Sequence, residues 1–347
     1  MILTTNEIYM QRCLDLAAKG LVDAMPNPSV GAVVVYKDTI IGEGFTSAFG
    51  GSHAEVNAIN SVKSKDLLKE CTLYVSLEPC NHFGKTPPCS DLIVHSKIPK
   101  VVIGCIDPFS EVAGKGIAKL RANGIDVTIG VLEEACKASH KRFFTFHTKK
   151  RPFIILKWAE SQDGFLSPKN KNEQKPVWLT NVYSRQLVHK MRSEEMAILV
   201  GKQTVLDDNP TLNTRDWFGK NPIRLYIDKE NRIPEDVHLK DKSIPTICFT
   251  SEAQKNQTNL DFEILDFNQN VPKQICEFLF KRNIQSVIIE GGSFTLQQFI
   301  NVDLWDEAFV FKSSVLLNEG TKAPLFNKNP FEIKSIINDQ LFLFKNY

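Results

Sequence analysis

One imidazole and two thiols carry the chemistry this chain displays most plainly. They are His53, Cys80 and Cys89, with the carboxylate of Glu55 two residues after the imidazole. Nitrogen and thiolate sulfur are donors that suit Zn²⁺, and three of them rather than four leave a coordination position for water. A glutamate that is not itself a ligand can then shuttle protons for that water. His-x-Glu followed later by Pro-Cys is the arrangement of a zinc deaminase, in which water activated by the metal attacks an amidine-like ring carbon and ammonia leaves. A structural zinc would need a fourth ligand, for which His82 is the nearby candidate. The other cysteines, Cys13, Cys71, Cys105, Cys136, Cys248 and Cys276, read as small buried hydrophobes. His95, His140 and His147 read as surface or hydrogen-bonded side chains.

The elements that must hold these groups follow from pattern. Residues 6–22 repeat apolar positions at helical spacing, with Asn6 as the expected N-cap, and Pro26-Asn27-Pro28 ends the run. Two β-branched stretches, 30–36 and 40–45, flank Lys37-Asp38 as a hairpin. A helix over 54–62 places His53 and Glu55 at its first turn, where free N–H groups favour negative charge. A strand over 72–77 leads into Glu78-Pro79-Cys80, and a helix over 89–96 starts at Cys89. A strand at 100–106, a helix at 117–123 and a strand at 125–131 complete an α/β layered domain ending near residue 147.

A chain of 347 residues has room for two domains with cores of their own. A net charge of only +2 argues against a dedicated nucleic-acid binder and leaves small anionic substrates open. Thiolate ligands and scattered, unpaired cysteines fit a reducing compartment. The first residues show neither a basic nor an apolar targeting segment, and no uninterrupted apolar run reaches the roughly 18 residues of a membrane span. The expected location is cytoplasmic.

The boundary is expected between 147 and 152, where lysines and arginines flank Phe143-Phe144-Thr145-Phe146. The phenylalanines read as packing between domains. Beyond it, strands at 153–159, 197–200, 224–228, 247–250, 262–265, 286–290, 307–312 and 341–345 alternate with helices at 180–192, 269–282 and 294–302. Thr180 reads as an N-cap and 206–210 as a polar turn. Gly291-Gly292-Ser293 between a strand and a helix can offer backbone N–H groups to a phosphate, but Gly-Gly turns are common and the Gly-x-Gly-x-x-Gly pattern is absent. No repeat relates the halves.

Three stretches resemble the deaminase half of the bifunctional riboflavin-biosynthesis deaminase/reductase family. They are Pro26-Asn27-Pro28-Ser29-Val30-Gly31, His53-Ala54-Glu55, and Glu78-Pro79-Cys80 through Gly84-Lys85-Thr86-Pro87-Pro88-Cys89. Other zinc deaminases usually separate the paired cysteines by two residues; here there are eight. Val112-Ala113-Gly114-Lys115-Gly116 also matches the family. Thr46 stands where many relatives have histidine, and Phe109-Ser110 where many have Asn-Pro. In the second half, Arg151-Pro152-Phe153 through Lys157, Ser161-Gln162-Asp163-Gly164, Ile198-Leu199-Val200-Gly201 with Thr204, Asp208 through Leu212 with Arg215, and Glu290-Gly291-Gly292 resemble the reductase half.

The resemblance implies a cytidine-deaminase-like three-layer domain over 1–147 and a dihydrofolate-reductase-like domain over 152–347. It implies a homo-oligomer that binds phosphoribosylamino-pyrimidines and uses one Zn²⁺ per chain and NADPH, without nucleic-acid or membrane partners. Zinc would sit on His53, Cys80 and Cys89, with Glu55 as the catalytic proton carrier and Asn27 and Lys85 on the substrate. NADPH would meet Ala159, Trp178, Thr204, Asp208, Gly292, Ser293, Phe294, Thr295, Leu296, Gln297 and Gln298. Arg192, Leu212, Arg215 and Glu290 would contact the ribosylamino-uracil phosphate, Arg192 and Arg215 being suited to its phosphate because a guanidinium pairs two oxygens at once, with Asp208 as the polar group near the reacting ribose. The expected function is deamination followed by reduction of ribosyl to ribityl. The alternative is a deaminase whose second domain has lost reduction.

Overall fold

A computed structural model of the chain describes residues 3–81, 83, 87–109, 113–171 and 173–346. It divides into two compact units, 1–150 and 151–347. No helix among the described residues is long and apolar enough to cross a membrane.

The first unit begins with α1 (Thr5–Ala24), capped by Thr4 in a reciprocal capping box with Glu7. Asn6, the expected cap, instead accepts a hydrogen bond from the Tyr74 hydroxyl at 2.8 Å. Then follow β1 (Gly31–Tyr36), β2 (Thr39–Phe45), α2 (Ala54–Ser61), β3 (Thr72–Leu77), α3 (Cys89–His95), β4 (Lys100–Cys105), α4 (Lys115–Ala122), β5 (Asp126–Ile129), α5 (Glu133–Ser139) and α6 (Lys141–Lys149). The sheet order is β2-β1-β3-β4-β5. β1 runs antiparallel to both neighbours, and β3, β4 and β5 are parallel. α1 and α5 pack together on one face, and α2, α3 and α4 form a chain of contacts on the other, which makes three layers. Parallel strands covered on both sides explain the unbroken burial of β3 from Leu73 to Leu77.

Close packing rather than propensity places α2. At Gly44 a Cβ would lie 2.4 Å from the Ala58 nitrogen and 2.5 Å from the Ala54 carbonyl oxygen, so β2 admits the helix only where it carries no side chain. The basic and aromatic stretch leading to the expected boundary, 141–149, is helical. Phe143 and Phe144 pack against the core of this unit and Phe146 is buried, so their apolar faces are satisfied locally.

The second unit comprises β6 (Phe153–Glu160), β7 (Phe165–Pro168), α7 (Val182–Glu194), β8 (Ala197–Gly201), α8 (Lys202–Asp208), β9 (Ile223–Ile227), β10 (Thr246–Thr250), β11 (Leu260–Ile264), α9 (Val271–Lys281), β12 (Ser286–Ile289), α10 (Ser293–Asn301), β13 (Glu307–Lys312), β14 (Gly320–Lys322), β15 (Glu332–Ile336) and β16 (Asp339–Lys345). Its main sheet runs β11-β10-β9-β8-β12-β6-β13-β16-β15, parallel from β11 to β13 and antiparallel over the last two strands. β14 and β7 form a separate antiparallel pair.

Alternate residues of β6 feed two cores. Ile154, Leu156 and Trp158 join the cluster with α9 and α10, while Phe153 and Ile155 join the one with α7. α7 is capped by Asn181, whose side chain accepts from the Tyr183 and Ser184 N–H groups; Thr180 was the expected cap. Residues 202–208, expected to end in a turn, form α8 because neither Gly nor Pro interrupts them. That helix stops at Asn209, in the left-handed region with φ 41°, just before Pro210.

Candidate functional site

In the first unit three donor atoms converge from three elements. His53 is the N-cap of α2, Cys80 follows β3, and Cys89 opens α3. His53 Nδ1 lies 3.5 Å from Cys80 Sγ and 3.4 Å from Cys89 Sγ, and all three donors fall within 4.8 Å of one another. With Zn–S about 2.3 Å and Zn–N about 2.0 Å, the S···N edge of a tetrahedral site is roughly 3.5 Å, so the spacing and donor chemistry fit zinc. Backbone contacts brace the turn: the Cys89 N–H donates to Cys80 Sγ at 3.3 Å and the Ser90 N–H to the Cys80 carbonyl at 3.1 Å.

The electrostatics match the donor roles. Hydrogen bonding from the Cys89 side chain, aided by His53, holds the Cys80 thiol down to about 4 against its burial. The Cys80 contact raises His53 to about 8. Glu55, 3% exposed in the first turn of α2, is pushed up to about 7 by burial and by the negative charge of Cys80.

Directly before this turn, the buried Glu78 collects backbone N–H groups from Asp107 (3.3 Å), Gly114 (2.9 Å), Gly116 (3.0 Å) and Ile117 (3.2 Å). Glu78 ties the metal turn to the start of α4. Four hydrogen bonds to one carboxylate satisfy it without any cation.

In the second unit a cleft of about 520 Å³ is lined from β6, α7 and α8 and by the turns after α8 and β12. At its base Glu290 accepts from Arg192 Nε at 3.2 Å and Nη2 at 2.7 Å, and Lys157 Nζ lies 3.8 Å away. Burial would raise the Glu290 carboxyl, but Arg192 and Lys157 overcome it and hold it near 2. Lys157 is itself pulled down by burial and by Arg192. Asp208, at the end of α8, is ion-paired with Lys171.

Two family models divide the chain in the same order as these sites. Residues 3–105 match the cytidine and deoxycytidylate deaminase zinc-binding region, and residues 152–339 match the RibD C-terminal domain. The chain is 38% identical to riboflavin biosynthesis protein RibD of Aquifex aeolicus, with 92% of this chain and 90% of that protein covered. The RibD of Bacillus amyloliquefaciens is 37% identical, at 92% and 87% coverage. The chain belongs to the RibD family.

Two solved structures extend the likeness over both halves. A diaminohydroxyphosphoribosylaminopyrimidine deaminase/5-amino-6-(5-phosphoribosylamino)uracil reductase from Thermotoga maritima has a TM-score of 0.90, with 37% identity and 98% of each chain covered. Acinetobacter baumannii RibD has a TM-score of 0.86 at 28% identity, again with 98% of each chain covered. As a member of the RibD family, the protein is a bifunctional deaminase and reductase of riboflavin biosynthesis, with Zn²⁺ and NADPH as cofactors. Its fold is a cytidine-deaminase-like domain followed by a RibD reductase domain.

The structure sorts the other RibD residues expected at the sites. Ala159, Trp178, Thr204, Asp208, Gly292, Arg192, Leu212, Arg215 and Glu290 all line the cleft. Gly292 sits at φ 57°, a left-handed value that a glycine adopts freely just before α10. Of the following residues, Leu296 points into the core, Thr295 is buried, Phe294 is 76% exposed, and the Gln297 side chain bonds Asn301 and Leu325; Ser293 and Gln298 lie in the same helix. Leu212 is buried at φ 51°.

Asn27 lies half-buried in the turn after α1, its N–H donating to the Ala24 carbonyl. Lys85 and His82 lie outside the described residues. Thr46 is buried and its hydroxyl accepts the Val30 N–H at 2.9 Å, which commits it to the scaffold. The Phe109 ring packs tilted against His147, with centroids 4.9 Å apart. Lys157, Lys171, Arg185 and Glu78 were not singled out as site residues from sequence. Lys157 and Glu78 did stand inside quoted motifs, which was the available signal.

Proposed function

We propose that residues 1–147 hydrolytically deaminate 2,5-diamino-6-(5-phosphoribosylamino)-4(3H)-pyrimidinone. Residues 152–347 would then reduce the ribosyl chain of 5-amino-6-(5-phosphoribosylamino)uracil to ribityl with NADPH. The observation that carries this reading is the His53, Cys80 and Cys89 donor set beside a buried Glu55, in a chain that matches over 98% of its length a relative named for both activities.

Zinc, when bound, supplies the Lewis acidity that makes water a nucleophile near neutral pH. His53, Cys80 and Cys89 would hold it. Glu55 would pass one proton of the attacking water to the ring nitrogen as the C–O bond forms, and the second, from the new carbon-bound hydroxyl, to the amine as the C–N bond breaks and ammonia leaves, which suits a carboxyl whose surroundings raise it towards neutrality. Asn27 and Lys85 orient the pyrimidine and its phosphorylated arm.

In the reductase cleft NADPH supplies the reducing equivalent, and the chain orients it against the sugar. The turn at Gly292 offers backbone N–H groups ahead of α10, with Ala159, Trp178, Thr204 and Asp208 around the rest of the cofactor. Glu290 stays anionic between Arg192 and Lys157, so this cluster fixes polar groups of the substrate rather than exchanging its own protons at neutral pH. Asp208 with Lys171 faces the sugar as a paired acid and base.

Thiolate ligands support a cytoplasmic location. The exposed Ile333 in the edge strand β15 and Ile337 in the turn after it support self-association. The test is metal content together with product analysis on the diamino-pyrimidinone, with and without NADPH. One zinc per chain, a deaminated product without NADPH and a ribityl product with it are expected. Deaminated product alone in both arms would favour a reductase domain that has lost its activity.

A further inference from the structure

We propose that His140 is a positioning residue for deamination: through the Ser76 hydroxyl it sets where the chain that follows Asn27 meets the strand that leads to Cys80. The role rests on the reading of the first unit as the deaminase, with Asn27 on the pyrimidine. It brings in two buried side chains outside the donor set.

The chain after Asn27 is fixed from several sides. Ser29 Oγ donates to the Ala17 carbonyl at 2.6 Å, and the Val30 N–H donates to Thr46 Oγ1 at 2.9 Å. At Gly31 a Cβ would lie 1.9 Å from the Cys13 carbonyl oxygen, so β1 starts pressed against α1. The edge towards β3 depends on a hydroxyl. The β1–β3 ladder ends with the pair Ala32 and Val75. One residue further, the Gly31 N–H donates to the Ser76 side chain, with Oγ at 3.1 Å. Ser76 stands four residues before Cys80, and Gly31 four residues after Asn27. This contact therefore lies between the substrate turn and the metal turn.

A serine hydroxyl can rotate, and its angle decides whether a lone pair faces Gly31. His140 removes that freedom. Its Nε2 lies 3.3 Å from Ser76 Oγ, and both residues are buried. The ring is carried by a fixed backbone: His140 joins α5 to α6, its N–H donating to the Cys136 carbonyl and its carbonyl accepting the Phe144 N–H. Burial holds the imidazole down to about 4, so at neutral pH it is an uncharged ring with one donor and one acceptor. Whichever of Nε2 and Oγ carries the shared proton, the hydroxyl has one orientation left.

The contact is kept at the expense of stability. His140 Nδ1 is buried with no hydrogen-bond partner among the described residues. A buried polar atom left unpaired destabilises the fold, and a leucine of similar size would not carry that penalty. A position that gives up stability for one hydrogen bond to Ser76 bears the mark of a functional constraint, since stability and activity commonly trade against each other.

Deaminase kinetics on the diamino-pyrimidinone, zinc content and the thermal transition of the first unit are measured in the full-length protein. The variants are His140→Leu, His140→Gln, Ser76→Ala, the double variant His140→Leu with Ser76→Ala, and Asn27→Ala. His140→Leu and Ser76→Ala should each raise KM about 3- to 10-fold with kcat held within about twofold, because contacts to the pyrimidine weaken alike in the ground and transition states. Zinc content should not change, and the thermal transition of His140→Leu should not fall. His140→Gln, whose amide reaches the place of Nε2, should bring KM back to within about twofold of the unchanged protein. The double variant should be no worse than the worse single one, because both changes break the same linkage. Ser76→Ala removes one oxygen only, so it gives the KM result even where His140→Leu folds poorly.

Unchanged KM in His140→Leu and Ser76→Ala, effects that multiply in the double variant, or no recovery in His140→Gln would each overturn the role of His140 alone. So would activity lost in step with zinc or with the thermal transition in all three single variants at His140 and Ser76, which is the signature of a structural part. Unchanged KM in Asn27→Ala, or no deamination by the unchanged protein, would overturn the reading beneath it, and the role with it.

Discussion

Glu55 and Glu290 are both buried carboxylates at functional sites, and the protein drives them in opposite directions. Burial, with the Cys80 thiolate adding to it, raises Glu55 to about 7, whereas Arg192 and Lys157 overcome the burial of Glu290 and bring it to about 2. Burial alone would raise both. The cationic neighbours of Glu290 therefore make it a fixed anion, while Glu55, with no cation strong enough to offset its burial, can exchange protons. That difference mirrors the two half-reactions: one needs a proton carrier, while the other brings its reducing power in a cofactor and needs positioning.

The contrast can be broken from either end. The largest effect is expected from Glu55→Gln, which should lower deamination by about 10²- to 10⁴-fold while zinc content and reduction of pre-deaminated substrate persist. Metal analysis and two separate assays check it, and loss of both activities in folded protein would contradict the division of labour. Next comes Glu290→Gln, which leaves Arg192 and Lys157 buried without a counter-charge. It should destabilise the C-terminal unit by about 3 kcal/mol, seen as a lower melting transition for that unit, with deamination retained below it. Asp208→Asn should cost the reductase about 10- to 100-fold by unpairing Lys171, with no effect on deamination.

The smallest expected effect is one of pH. The folded Glu290 sits near 2, below the ordinary 4.5. Its stabilising contribution is complete above about 4.5 and is lost as pH falls towards 2. Arg192→Met removes the strongest lowering influence. The pKa then rises, and acid unfolding of this unit, followed by circular dichroism, should begin at higher pH. An unmoved acid transition would mean that Arg192 does not hold the carboxyl down.

The two regions also differed in how far they could be read from residues alone. His53, Glu55, Cys80 and Cys89 announce their chemistry because few residue types bind zinc and their local elements are short, clear strands and helices. The boundaries of β3 and β13 match those expected, since unbroken apolar runs between breakers leave little choice. The reductase cleft is assembled from residues whose types are ordinary. Lys157 and Arg185 acquire meaning only when β6 and α7 bring them to Glu290 and Trp178.

Misjudged caps show the same limit on a small scale. Thr4 and Asn181 won over Asn6 and Thr180, each within two residues, because several polar side chains near a helix start can serve and tertiary partners choose among them. In the 141–149 stretch the charges are conspicuous in sequence, while the packing of Phe143 and Phe144 onto the core of their own unit is not visible in one dimension.

The carboxylate of Glu78 has a consequence for how the metal site comes into being. With four backbone N–H groups gathered on it, the turn leading to Cys80 is anchored by the protein's own hydrogen bonds. Coordination then has little chain to organise, unlike in zinc fingers, where metal binding and folding are one event. Chelation should therefore silence deamination and leave the first unit folded, and metal returned to the stripped protein should restore activity without a refolding step. In manufacturing language, the socket is finished before the fitting arrives.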